Sequence, residues 1–141
     1  MELDKYIGLA IEDALNIVRS TELVVNYGKI EGTEFIEVPE KGYYLQSNDG
    51  DGKISEYRVY FEKNGDFFPS SKELRGQYSG LLTISEAEAL IGPAIKEIRS
   101  IKLPGAKPTM AGKAFVDGQS KIIFYTVDGV NITCLHRKPL G

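Results

Sequence analysis

Hydrophobic residues at the start of the chain recur at three- and four-residue spacing: Leu3, Ile7, Ala10, Ile11, Ala14, Leu15 and Val18. Asp4, Lys5, Glu12, Asp13, Asn16 and Arg19 fall between them. This is the signature of one buried helix face, and it predicts a first helix over residues 3–18. Acids come early in it and Arg19 late, as the helix dipole prefers, while Gly8 weakens the first turn. The period then drops to two. Leu23–Asn26, Phe35–Val38, Tyr43–Gln46 and Lys53–Phe61 read as strands. In the last, Tyr57, Val59 and Phe61 share one face, while Glu56, Arg58 and Glu62 share the other with Tyr60, the alternation of a half-buried antiparallel strand. Asn48-Asp-Gly-Asp-Gly52 and Asn64-Gly65 are hairpin turn signals.

A second helix is predicted near Ser85, with Glu88 three residues on completing a capping box and Gly92-Pro93 ending it. Strands return at Ala94–Leu103, Lys113–Val116, Lys121–Val127 and Val130–Arg137, with a turn at Asp128-Gly129. Lys121–Val127 is apolar on both faces and reads as a central strand. The order helix, meander, helix, meander predicts an α+β fold: an antiparallel sheet with two helices on one face, in a single domain over 1–141. Ile7-Gly-Leu-Ala-Ile11 echoes Ile91-Gly-Pro-Ala-Ile95, and Arg58-Val-Tyr-Phe61 loosely echoes Ile122-Ile-Phe-Tyr125. The echoes raise a duplicated helix-plus-meander unit, with sub-units 1–80 and 81–141.

Composition narrows the function classes. The chain has 141 residues, 42% hydrophobic and 26% charged, enough to bury a core without staples. One cysteine, Cys134, and one histidine, His136, form neither a disulfide framework nor a zinc cage, so no cofactor or metal is expected. No apolar run reaches the roughly 18 residues of a membrane span, and the opening residues lack the pattern of a secretory signal. Cytoplasmic location and no membrane partner are therefore expected. Charge is uneven: residues 1–80 carry 9 Lys and Arg against 15 Asp and Glu, net −6, and the remainder 8 against 5, net +3. The acidic front argues against nucleic acid as partner and suits a basic protein.

Three motifs come close to known chemistry without completing it. Asp49-Gly-Asp-Gly-Lys-Ile54 has the middle of a calcium loop, but Arg58 stands where the closing bidentate acid belongs. Gly105-Ala-Lys-Pro-Thr-Met-Ala-Gly-Lys113 lacks the spacing and the hydroxyl of a phosphate loop, which leaves Lys102, Lys107 and Lys113 free to touch an anionic partner or simply water. Cys134 and His136 share a strand face with no acid close in sequence to orient the ring, and read as a core cysteine beside a rim histidine. Tyr43, Tyr44 and Tyr60 lie near the acidic strand, where tyrosine suits either an interface or a half-buried sheet.

A resemblance adds to this reading. Gly42-Tyr-Tyr-Leu45, Ile54-Ser-Glu-Tyr57 with the strand to Phe61, Phe68-Pro69, and Leu82-x-Ile-Ser85 with its helix ending at Ile91-Gly-Pro93 resemble small bacterial immunity proteins encoded beside bacteriocins or contact-dependent toxins. Leu103-Pro-Gly105 and the strand Ile122–Val127 with its Asp128-Gly129 turn fit the same layout, over roughly residues 40 to 136. The helix running into Gly-Pro before a meander is also similar to the repeat of β-lactamase-inhibitor-like proteins. The resemblance implies a protein without catalysis that binds one toxin domain, such as a nuclease, and blocks its active site or substrate surface. The expected contact residues are Glu34, Glu37, Tyr43, Tyr44, Asp49, Asp51 and Tyr60. The other readings are a small-molecule-binding or structural α+β module, with a pocket between helix and sheet, and an enzyme working with carboxylates alone.

Overall fold

The computed structural model of the chain describes residues 1–48 and 50–141. Its secondary structure is α1 (Ile11–Thr21), β1 (Asn26–Ile30), β2 (Thr33–Val38), β3 (Tyr43–Ser47), β4 (Ile54–Tyr60), α2 (Lys72–Arg75), α3 (Ile84–Ile91), β5 (Lys96–Ile98), β6 (Ala111–Asp117), β7 (Ser120–Thr126) and β8 (Cys134–Pro139). All eight strands join one antiparallel sheet in the order β1-β2-β3-β4-β8-β7-β6-β5. Each half is a four-stranded meander preceded by helix, and the two halves meet through their last strands, β4 and β8. The α+β expectation holds, with the short α2 as an added element.

Three local departures have physical causes. The first helix is split: a 3-10 turn, Glu2–Tyr6, is separated from α1 by a stretch in which Gly8 takes φ +88°. There Gly8 and Leu9 exchange backbone bonds with Ile54, and Ile11 N–H donates to the Gly52 carbonyl, so the chain is held extended where the periodicity alone predicts helix. The first strand lies later than predicted because its hairpin turns on Glu31-Gly32, both at positive φ. That turn pairs Ile30 with Thr33 and sets the register back to Asn26–Glu37, leaving Leu23 exposed. The last strand begins at Cys134 because Val130 and Ile132 instead pair with Ile84 and Leu82, before and at the start of α3.

Alternation divides the sheet into two unlike faces. Ile36, Val38, Tyr43, Leu45, Tyr57, Val59, Leu135, Phe124, Ile122 and Phe115 form one apolar cluster with Leu3, Tyr6, Ala14, Val18, Leu74, Tyr78, Ile84 and Ala87 from the helical segments. The helices thus cover this face. On the opposite parity lie Phe35, Glu37, Tyr44, Glu56, Arg58, Tyr60, Cys134, His136 and Tyr125, and among the described residues the buried side chains of α1, α2 and α3 pack on the other face instead.

The capping box of α3 sits two residues earlier than Ser85 and Glu88. Thr83 Oγ1 accepts the Glu86 N–H at 3.2 Å, and Glu86 Oε1 accepts the N–H groups of Leu82 and Thr83 at 3.0 and 2.9 Å. Thr83→Ala should therefore lower urea-unfolding stability by about 1 kcal/mol, and Ser85→Ala by less than about 0.5 kcal/mol. Gly42, at φ +70°, lies beneath the segment after β4, where an added Cβ would sit 2.1 Å from the Phe68 carbonyl oxygen. Gly42→Ala should cost about 3 kcal/mol on the same unfolding measurement. Gly118→Ala, at φ +63° with nothing within 4 Å, should cost only about 1 kcal/mol.

Candidate binding face

The uncovered face is organised around a guanidinium. Arg58 is directly opposite His136 in the β4–β8 register. Its Cζ lies 5.6 Å from the Tyr44 ring centroid and 4.9 Å from that of Tyr125, so the cation sits against two aromatic faces. Arg58 Nε donates to His136 Nδ1 at 3.2 Å. Because Nδ1 accepts, the ring proton is on Nε2, which donates to Glu56 Oε1 at 2.7 Å. Glu56 and His136 are 4% and 6% exposed. The result is an ordered chain of cation, neutral ring and carboxylate across the seam between the two meanders.

Burial and neighbours set the protonation states. Burial, with Arg58 beside it, holds His136 below its usual 6.5, although the bond to Glu56 works the other way. Burial alone would raise Glu56, but its hydrogen bonds to His136 and Asn48 outweigh that and hold it below the ordinary carboxylate value. Burial pushes the Cys134 thiol up to about 11, so it remains protonated at neutral pH. Tyr44, Tyr60 and Tyr125 are raised by burial and stay phenols. Both nitrogens of His136 are engaged within the chain, and no thiolate is present to attack.

Aromatic rings extend the face. Phe67, from the Asn64–Phe67 turn, stacks on Tyr60 with centroids 4.5 Å apart and planes at 13°, and meets Tyr44 at 6.0 Å. Phe35 meets the other side of Tyr44 edge-on at 5.8 Å. Beyond Phe35, a hollow of about 570 Å³ lies among Ile30, Glu31, Thr33, Gln46 and Asn48.

Of the residues expected from sequence, the structure brings Glu37, Tyr44 and Tyr60 onto this one face. Glu37 is directly opposite Tyr44 across β2 and β3. Tyr60 is only 5% exposed beneath Phe67, so it supports the face more than it presents itself. Tyr43, adjacent to Tyr44 and therefore on the opposite parity, is 4% exposed within the core and leaves the contact set. Glu34 likewise has the opposite parity from Glu37, and its Oε2 is buried without a hydrogen-bond partner among the described residues. Asp51 is exposed in the β3–β4 turn, where it accepts the Lys53 N–H at 2.8 Å. Asp49 lies outside the described residues. His136 is no rim residue, and its orienting acid, Glu56, is 80 residues away in sequence. Arg58, Glu56, His136, Tyr125 and Phe67 were missed as a group; the shared parity of Glu56 with Arg58, and of Cys134 with His136, is the signal that could have found them.

No protein-family model matches the sequence, and no curated protein matches it. Among solved structures, a DUF4309 family protein (YjgB) from Bacillus subtilis subsp. subtilis str. 168 aligns with a TM-score of 0.42 and 15% identity. The alignment covers 82% of this chain and 62% of that one. Among the described residues, no helix is long and apolar enough to cross a membrane.

The depressed His136 and Glu56 values have the same sign in their effect on stability. The native state holds fewer protons than the unfolded chain, so stability falls as pH drops below 6.5 for His136 and again below 4.5 for Glu56. Urea midpoints measured from about pH 7 to pH 5 should decline for the native sequence. His136→Gln, which takes up no proton, should flatten that decline; an unchanged slope would mean that His136 does not titrate between the two states.

Proposed function

We propose that the protein is a non-catalytic binding protein of the toxin-immunity type. It acts in the cytoplasm by covering the active site or substrate surface of a cognate toxin domain, with a basic nuclease as the class that suits it. The observation that carries this reading is the uncovered sheet face, in which Tyr44 and Tyr125 hold Arg58 between them and Phe35 and Phe67 extend the aromatic area around Tyr44, while α1, α2 and α3 pack against the other side. Tyrosine and arginine supply large, stiff contact area at small entropic cost, which is why they dominate binding hot spots. Glu37 beside Tyr44, and Glu31 at the adjoining hollow, place negative charge along one margin, the right sign for a basic partner. The absence of catalysis is supported by His136, whose two nitrogens are both engaged, and by the protonated Cys134.

The test is protection. The C-terminal domain of the protein encoded immediately upstream is expressed in cells with and without this chain, and the pair is then co-purified. Growth rescue with a stable complex is the expected result. In that complex, Glu37→Lys should mainly slow association and weaken its salt dependence. Tyr44→Ala should speed dissociation, at a cost of about 2 kcal/mol. Unchanged rates in both variants would move the contact off this face, and a toxic neighbour that is neither neutralised nor bound would remove the immunity reading.

A further inference from the structure

The same face has a second hollow at its opposite, basic end. It measures about 860 Å³, within the range of small-molecule sites, and runs from the Asn64–Gly65 turn to the arm between β5 and β6. Arg58 and Tyr125 form its floor; Ile98 at the end of β5, Ile101 and Met110 from the arm and Val127 after β7 give it apolar walls. The arm is stapled rather than loose. Ile101 N–H donates to Thr109 Oγ1 at 2.8 Å, Thr109 N–H returns to the Ile101 carbonyl at 2.9 Å, and Ser100 Oγ donates to the Thr109 carbonyl at 2.6 Å.

The cations of this region are sorted by the structure. Lys113 pairs with Glu88 and Glu97, and Lys102 donates to the Ala106 carbonyl within the arm. Lys107 and Arg99 line the hollow, and neither has a carboxylate within 4 Å among the described residues. Arg58 is the decisive group. Its Nε is committed to His136, the Tyr60 hydroxyl lies beside it, and the nearest acid in the network, Glu56, is engaged by His136 instead. A half-buried guanidinium without a carboxylate of its own costs free energy, and the N–H donors left over from His136 and Tyr60 suit a carboxylate through charge-assisted hydrogen bonds.

We propose that this hollow binds a small amphipathic monocarboxylate, with the carboxylate on Arg58, Lys107 and Arg99 closing over it, and an apolar stem along Ile98, Ile101, Met110 and Val127. The site shares Arg58 and Tyr125 with the face of the toxin reading but not its acidic margin, and it can be tested without any toxin. Decanoate, kept below its micellar concentration, is titrated into the ¹⁵N- and methyl-labelled protein. The Arg58 Nε–H signal, held in place by His136, is followed together with the methyls of Ile98, Ile101 and Val127. Saturable shifts at both sets are expected with decanoate. Decanol, which has the stem without the charge, and acetate, which has the charge without the stem, should each bind at least tenfold more weakly. Arg58→Gln should weaken decanoate by about tenfold or more, the share of a charge-assisted hydrogen bond. Because that variant also leaves His136 Nδ1 without its donor, Lys107→Glu and Ile101→Asp on the exposed arm provide independent weakening without touching the sheet. Absence of saturable shifts, equal binding of decanol, or binding of an acidic peptide where decanoate has no effect would each overturn the proposal.

Discussion

The pairing of β4 with β8 is where two meanders become one sheet, and the rest of the molecule depends on it. On the covered side, Val59 meets Leu135 in the centre of the core. On the uncovered side the same register sets Arg58 against His136, and His136 reaches diagonally to Glu56. A slip of one residue would exchange these rows, driving an arginine and a histidine into the apolar cluster. The polar chain at the seam thus ties the strand register to the separation of charged from apolar rows.

The seam also gives the uncovered face its asymmetry. Glu31 and Glu37 lie toward β1 and β2, whereas Arg99 and Lys107 lie toward β5 and β6. Arg58 stands between these margins, clasped by Tyr44 from the adjacent β3 and Tyr125 from β7, one strand beyond β8. The charge imbalance between the two parts of the sequence thus becomes a gradient across one surface. Across it the surface runs from acid at one margin through aromatic area in the middle to cation at the other.

Much of the architecture was legible because alternation and turn residues are local. Tyr57, Val59, Glu56 and Arg58 announced β4, and Gly92-Pro93 announced the end of α3. The failures were of other kinds. Glu31-Gly32 is a tight turn in which a non-glycine takes positive φ, so it carries no Asn-Gly or Asp-Gly signal. Thr83 and Ser85 are both good caps with an acid three residues on, and only the pairing of Leu82 and Ile84 with Ile132 and Val130 decides between them. The echo of Arg58–Phe61 in Ile122–Tyr125 joins β4 to β7, which hold different places in the two meanders, so it does not mark matching strands. For the site, Tyr43 and Tyr44 looked alike as a pair, but period two sends them to opposite sides. His136 had no visible partner because the topology supplies one from 80 residues away.

That long reach has a consequence for how the chain comes into being. The β1–β4 meander consists of sequence-local hairpins and can form as soon as its residues have left the ribosome. Its β4 edge, however, gains its neighbour only after β8 has been synthesised. During that interval the nascent chain presents an open strand with Tyr57 and Val59 along its apolar face, the kind of edge that recruits the wrong partner. Arg58 and Glu56 place two charges on the uncovered side of that strand, and charged side chains are one means by which an unpaired edge discourages strand addition.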